Sequence, residues 1–258
     1  MESAPSVVKA PGPLARWAGW ALDQIYPPLC LSCEAPVAHA DALCPACFRA
    51  LRPITKPWCP VLGLPFDVDL GPDARSAEAI ADPPPFERAR SAVIYNVVAR
   101  KLVSRLKYGD RPELARFCAR LMATAGAELI ADRPVIVPVP LHAYRQFERR
   151  YNQSAELARA VARITGLGCD PGLIVRSRRT KQQVGLSADA RRRNVAGAFT
   201  VRPGAAAKLN DRRVLLVDDV ITTGSTVKAV THALNRAGID KVDVISFARV
   251  VTGADLQA

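Results

Sequence analysis

Apolar positions divide this chain into two regimes. Beyond residue 90, short apolar runs alternate with stretches in which apolar residues recur every three or four positions. The runs predict strands near Ala92 to Tyr95, Val135 to Val139, Leu173 to Arg176, Val214 to Asp218 and Val242 to Ala248. The periodic stretches predict helices near Arg100 to Lys107, Glu113 to Ile130, Gln153 to Thr165 and Ser225 to Ala237. Such alternation implies a doubly wound α/β sheet of parallel strands, with ligands bound at the strands' carboxyl ends. The first ninety residues show no such alternation. Leu14, Trp17, Ala18, Ala21 and Ile25 stand at helical spacing and predict one amphipathic helix within residues 1–27. That helix lacks the Lys/Arg-rich face of a membrane-surface helix, so its apolar side is expected to face a core.

Composition sharpens the boundary. Residues 1–90 carry 8 basic and 10 acidic side chains, and the remainder carries 28 basic and 14 acidic. Fifteen of the 21 prolines and five of the seven cysteines fall in the first part. The expected organisation is an N-terminal helix (1–27), a cysteine-rich module (28–66), a linker (67–90) holding Pro83, Pro84 and Pro85, and a large basic domain (91–252). The proline triplet favours extended, semi-rigid chain. No run reaches the roughly 18 apolar residues of a membrane span, and the N-terminus lacks the apolar stretch of a signal peptide. A soluble cytoplasmic protein with no membrane span is expected.

Cys30-Leu-Ser-Cys33 and Cys44-Pro-Ala-Cys47 form two C-x-x-C pairs separated by ten residues. Each pair offers two thiolates from one tight turn, and two turns supply the tetrahedral sulfur set that zinc prefers. A module of this size buries too little apolar surface to fold alone, so a structural Zn²⁺ bound by Cys30, Cys33, Cys44 and Cys47 is expected. Cytoplasmic disulfides are disfavoured, and a redox C-x-x-C does not usually occur twice without a βαβ pattern. Cys59-Pro-Val-Leu62-Gly63 resembles a third knuckle whose second ligand has become Leu62. Cys59 is expected to be a small buried residue and His39 a surface one.

In the large domain, Val214-Leu-Leu-Val217 reads as a buried parallel strand. Asp218 and Asp219 follow at its end, then Val220, Ile221 and the turn Thr222-Thr223-Gly224-Ser225-Thr226, then a helix. A small-residue turn opening a helix is an anion pocket, because free backbone N–H groups and the helix dipole point at the ligand. The turn has no lysine and no dinucleotide glycine spacing, so it is neither a Walker A loop nor a Rossmann fingerprint. Paired carboxylates suit a phosphate that carries neighbouring hydroxyls, as ribose 5-phosphate does.

The run from Val214 to Thr226 resembles the phosphoribosyl pyrophosphate (PRPP) signature of type I phosphoribosyltransferases. More narrowly, the chain resembles the ComF family, which joins a cysteine-rich zinc module to such a domain. The supporting segments are Ile136 to His142, Arg149 to Ser154, Arg178 to Gln183, and Leu186 through Arg191-Arg-Arg-Asn194 to Phe199. Arg150 stands where the family usually has Gly, and Leu62 where it has Cys. The resemblance implies that Asp218 and Asp219 are the catalytic pair holding the ribose. It implies that Val220, Thr222, Thr223, Gly224, Ser225 and Thr226 bind the PRPP phosphate. The segment from Leu141 to Arg150 would be the pyrophosphate loop, charged by Arg145, Arg149 and Arg150, although a solvated basic surface fits those arginines equally. Arg178, Arg179 and Lys181 would sit on a mobile loop that neutralises pyrophosphate, usually with Mg²⁺. Arg191 to Arg193 read as a solvated helix face.

Two functions of different class remain. One is a PRPP-binding protein acting in single-stranded DNA uptake during natural transformation, in contact with DNA or the uptake machinery, as the ComF resemblance implies. The other is an active phosphoribosyltransferase of nucleotide metabolism with an unidentified acceptor. Residues 141–195 hold 12 basic and 4 acidic side chains, enough charge for a polynucleotide backbone or for one pyrophosphate. Aromatics for base stacking are few: Phe48, Trp58 and Phe66.

Overall fold

A computed structural model of the chain describes residues 27–108, 112–140, 152–177 and 197–251. Its strands are β1 (Arg88–Ile94), β2 (Val135–Pro138), β3 (Ile174–Arg176), β4 (Phe199–Val201), β5 (Val214–Ile221) and β6 (Val242–Arg249). Its helices are α1 (Pro45–Ala50), α2 (Ala77–Ala81), α3 (Val97–Tyr108), α4 (Pro112–Ala125), α5 (Ala127–Ala131), α6 (Gln153–Thr165), α7 (Ala205–Leu209) and α8 (Ser225–Arg236). The predicted amphipathic helix before Tyr26 lies outside the described residues.

Four strands make one parallel sheet in the order β1-β6-β5-β2. All eight residues of β6 are buried, as are Val214 to Val217 of β5, because both faces of the sheet are covered. Alternate side chains feed two apolar layers. Leu215 and Val217 pack with Leu102, Leu114, Leu157 and Phe247 from one face. Val214 and Leu216 pack with Val230, Leu234, Leu173 and Phe86 from the other. The central strand also carries a buried charge: Asp243, fully enclosed, accepts from Arg88 Nε at 3.1 Å and Nη2 at 2.7 Å.

Two expectations are corrected here. The stretch Leu173 to Arg176 does not join the parallel sheet; Ile174–Arg176 pairs antiparallel with β4 in a separate two-stranded ribbon. Val175 is 50% exposed, so this short strand has only one covered face, unlike its neighbours in the sheet. The single helix expected from Glu113 to Ile130 is two, divided at Gly126. A Cβ there would meet Ile245 Cδ1 at 2.5 Å, so a larger residue would have to displace that side chain where the helices pass the sheet.

The sheet edges are both occupied by backbone. Beyond β2, Ile136 N donates to Gly168 O and Asp170 N to Ile136 O, each at 2.9 Å. Outside β1 lies the segment Arg52–Ile54 from the cysteine-rich half, with Ile54 N donating to Ala92 O at 3.0 Å and Ile94 N to Arg52 O at 2.8 Å. Strand edges left open invite pairing with other chains, and among the described residues both edges of the parallel sheet carry such backbone bonds. None of the described helices is long and apolar enough to cross a membrane.

Candidate functional site

The carboxyl end of β5 places the predicted residues together. Asp218, Asp219 and Val220 are half-buried where the strand leaves the core, and Ile221 is the last buried position before the turn. Thr222 and Thr223 are exposed, Ser225 is buried, and Thr226 is half-buried in the first turn of α8. Gly224 caps the helix in the left-handed region (φ 71°), where a side chain is disfavoured, and supplies α8 with no side-chain cap. Thr223 Oγ1 and Ser225 Oγ lie 2.7 Å apart, so two hydroxyls already converge beside that helix start. Helix N-terminal amides with adjacent hydroxyls are an arrangement for an anion.

Hydrogen bonds orient the acidic pair. Asp218 Oδ1 accepts from Ser154 Oγ at 3.1 Å and from the Asp219 amide at 3.0 Å. Asp219 Oδ1 accepts from the Val220 amide at 2.8 Å. Ser154 is buried in the first turn of α6, which Asn152 caps by accepting from Ala155 N at 3.3 Å. Sequence reasoning assigned Ser154 no role. The available signal was its position just after the β2 segment, on a helix that must pack beside β5. Tyr95, after β1, has its phenol raised by burial, with Arg100 opposing and Asp219 adding to the rise.

Of the remaining predicted site residues, Arg149, Arg150, Arg178, Arg179 and Lys181 lie outside the described residues, as do Arg145 and Arg191 to Arg193. Of the three aromatics, Phe48 is 60% exposed. Trp58 is covered by Arg90 and Lys56, whose cations sit 5.2 and 5.7 Å from its ring centre. Phe66 is half-buried against the second apolar layer.

The four knuckle cysteines form a second site. Their sulfurs all lie within 4.8 Å of one another, and Cys33 and Cys44 are 3.6 Å apart. Tetrahedral zinc thiolates at about 2.3 Å require sulfur separations of about 3.8 Å, so the donor set fits. Backbone amides support it: Cys44 N donates to Cys30 Sγ at 3.2 Å and Cys47 N to Cys44 Sγ at 3.5 Å. Burial acts to raise the Cys30 thiol, yet the backbone N–H groups of Cys33, Cys44 and Ser32 outweigh it and bring it down to about 6. Burial and the neighbouring thiols push Cys47 up to about 12. Four crowded sulfurs cannot all ionise without a cation between them; Zn²⁺ resolves that conflict and crosslinks the two turns. Cys118 and Cys169, by contrast, stand apart and have thiols raised by burial.

The cysteine-rich module meets the large domain through Leu31 and Leu51, buried in the first apolar layer, and through charged pairs. Arg105 of α3 meets Glu34 at 3.0 Å and donates to Leu31 O at 3.3 Å. Arg116 of α4 holds Asp41 with Nε at 3.0 Å and Nη2 at 3.3 Å. His39 is exposed, as expected.

Comparison with known proteins finds two domain families along the chain. Residues 21–80 match the double zinc ribbon domain, and residues 151–255 match the phosphoribosyl transferase domain. The DNA utilization protein YhgH of Salmonella typhi is 35% identical over 87% of this chain and 98% of its own length. That of Escherichia coli strain K12 is 34% identical over the same shares, 87% and 98%. Competence protein F of Haemophilus influenzae is 35% identical over 57% of this chain and 66% of its own. With a zinc ribbon seated on a type I phosphoribosyltransferase-like sheet and relatives matched along nearly their full length, the chain belongs to the ComF family of competence and DNA utilization proteins.

Proposed function

We propose that this protein binds PRPP, or a related ribose phosphate, at the carboxyl end of β5 and acts in the cytoplasm in the uptake of single-stranded DNA. The observation that carries the first part is the oriented carboxylate pair beside the glycine-capped N-terminus of α8. Asp218 and Asp219 accept hydrogen bonds from the ribose hydroxyls, and the Thr222 to Thr226 turn holds the 5′-phosphate through amides and hydroxyls. Mg²⁺ bound with the pyrophosphate would offset its charge, and Arg149, Arg150, Arg178, Arg179 and Lys181 would contribute the protein's own positive charge. The DNA part rests on the names of the relatives and on the net +14 of residues 91–258.

A fluorescence titration with labelled single-stranded DNA, with and without PRPP and Mg²⁺, tests both parts. Binding should weaken steeply with salt and be displaced by PRPP. Equal DNA affinity at low and high salt would remove the basic surface as the contact.

The same carboxylate pair also favours a second reading, an active phosphoribosyltransferase. Holding ribose and phosphate while pyrophosphate departs is the reaction such a site supports. Pyrophosphate release from PRPP, offered with each nucleobase in turn, measures it; release at the background rate throughout would eliminate it.

A further inference from the structure

The cysteine-rich half contains the same fold twice. In the first ribbon, Leu29 bridges Pro36, Cys30 N donates to Ala35 O at 2.8 Å, Glu34 N to Cys30 O at 3.0 Å and Val37 N to Pro28 O at 2.9 Å. Twenty-nine residues on, the pattern repeats. Trp58 bridges Pro65, Cys59 N donates to Leu64 O, Gly63 N to Cys59 O and Phe66 N to Pro57 O, each at 2.8 Å. Glu34 and Gly63 occupy the same left-handed backbone position, both at φ 64°.

The second knuckle repeats as well. Cys44 caps α1 with φ −66° and ψ 159°, its side chain accepting from Cys47 N. Ser76 caps α2 with φ −65° and ψ 152°, its side chain accepting from Ala79 N. The link between knuckles is also kept. Cys44 N donates to Cys30 Sγ in the first ribbon, and Ser76 stands against the Cys59 thiol in the second. Superposing these roles aligns Cys30, Cys33, Cys44 and Cys47 with Cys59, Leu62, Ser76 and Ala79.

We infer that residues 57–82 are a second ribbon that folds without metal, its ligand positions now Cys59, Leu62, Ser76 and Ala79, so that this chain binds one zinc where its double-ribbon fold has room for two. Leucine and alanine offer zinc no donor, and one thiol with one hydroxyl does not complete a tetrahedron. Among the described residues only the first four cysteines are grouped as a metal could use them. What replaces the ion is visible. Cys59, Leu62 and Ala79 are all buried, and they pack with Phe86, Ala89 and Val244 in the second apolar layer. Arg249, at the end of β6 and itself 5% exposed, donates to Leu62 O at 3.1 Å and faces Glu78 at 3.8 Å. The second ribbon has thus become part of the large domain's core, held by burial and a guanidinium from the sheet.

Elemental analysis of the purified full chain tests this. The native protein should hold one zinc per chain, and Cys59→Ala should hold the same. The Leu62→Cys, Ser76→Cys, Ala79→Cys triple variant, which completes the aligned set with Cys59, should hold two. Cobalt substitution should double the thiolate charge-transfer absorbance in that variant. Two zinc ions in the native protein, or loss of zinc in Cys59→Ala, would overturn the inference. A triple variant with native circular dichroism and still one zinc would overturn the alignment of the four positions.

Discussion

If Asp218 serves the ribose and the Thr222 to Thr226 turn serves the phosphate, damage to one should be separable from damage to the other. Asp218 Oδ1 holds two oriented donors, Ser154 Oγ at 3.1 Å and Asp219 N at 3.0 Å. Ser154→Ala removes the first and leaves the second. A hydrogen bond to a charged acceptor contributes roughly 1.5–3 kcal/mol, but the carboxylate keeps its charge and its amide donor. The loss transmitted to a bound ribose should therefore be about 1 kcal/mol, or about fivefold in affinity. Asp218→Asn removes the charged acceptor itself and should cost about 3 kcal/mol, or about a hundredfold. Neither substitution touches the turn. Inorganic phosphate should bind both variants as it binds the native protein, or slightly tighter to Asp218→Asn, which loses a negative charge near the anion. Calorimetry with ribose 5-phosphate, and displacement by inorganic phosphate, reads both quantities, with thermal melting as the control for folding. Parallel losses of ribose phosphate and of phosphate would refute the division of labour. So would a Ser154→Ala variant as impaired as Asp218→Asn.

Three further outcomes follow from the fold. Stripping zinc with a strong chelator should open residues 28–50 to protease while the parallel sheet and the second ribbon stay protected; mass spectrometry of the fragments reads this, and cleavage within residues 57–82 at the same rate would contradict it. Asp243→Ala removes the fully buried carboxylate on which Arg88 Nε and Nη2 converge but leaves Arg88, 29% exposed, its pairing with Asp132, so stability should fall by roughly 1.5–3 kcal/mol and the melting temperature by about 5 °C; no measurable loss in urea would contradict the pairing. Gly63→Ala places a Cβ 2.4 Å from Ala89 O in left-handed backbone, whereas Gly238→Ala meets nothing within 4 Å. The second should cost only the conformational penalty of about 1–2 kcal/mol and the first distinctly more, so equal losses would show that the second ribbon does not press on β1.

The parallel sheet was readable because its strands are buried on both faces and so write themselves as continuous apolar runs, as in Val214 to Val217 and Val242 to Ala248. Leu173 to Arg176 misled for the same reason in reverse. Its apolar residues match those of a sheet strand, and only its partner, Phe199–Val201, decides that it lies elsewhere. The acidic pair and the turn were legible as a local motif. Ser154 was not, since its approach to Asp218 depends on packing between α6 and β5, 64 residues apart. The second ribbon was glimpsed through Cys59 and Leu62, but Ser76 and Ala79 carry no cysteine signature, and their equivalence rests on backbone geometry alone.

The basic charge also reads differently in three dimensions. Arg105, Arg116, Arg213, Lys228 and Arg249 face Glu34, Asp41, Glu87, Asp82 and Glu78 respectively. The acidic first ninety residues thus neutralise part of the large domain from within the chain. Each exposed pair contributes little stability, and the burial of Leu31 and Leu51 in the first apolar layer adds to what holds the zinc module in place.

The covering of β1 bears on the order of events during synthesis. Within the sheet β1 pairs with β6 alone, joining Arg88 to Asp243, so its sheet partner is made 155 residues after it. The segment Arg52–Ile54 leaves before β1 does and can already hold the other edge of that strand. A nascent chain would thus wait for β6 with Ala92 and Ile94 half-paired rather than bare, during the interval when unpaired strands are most prone to aggregate. A chain begun at residue 88 would lose that early partner, and β1 would stay unpaired on both edges until β6 is made.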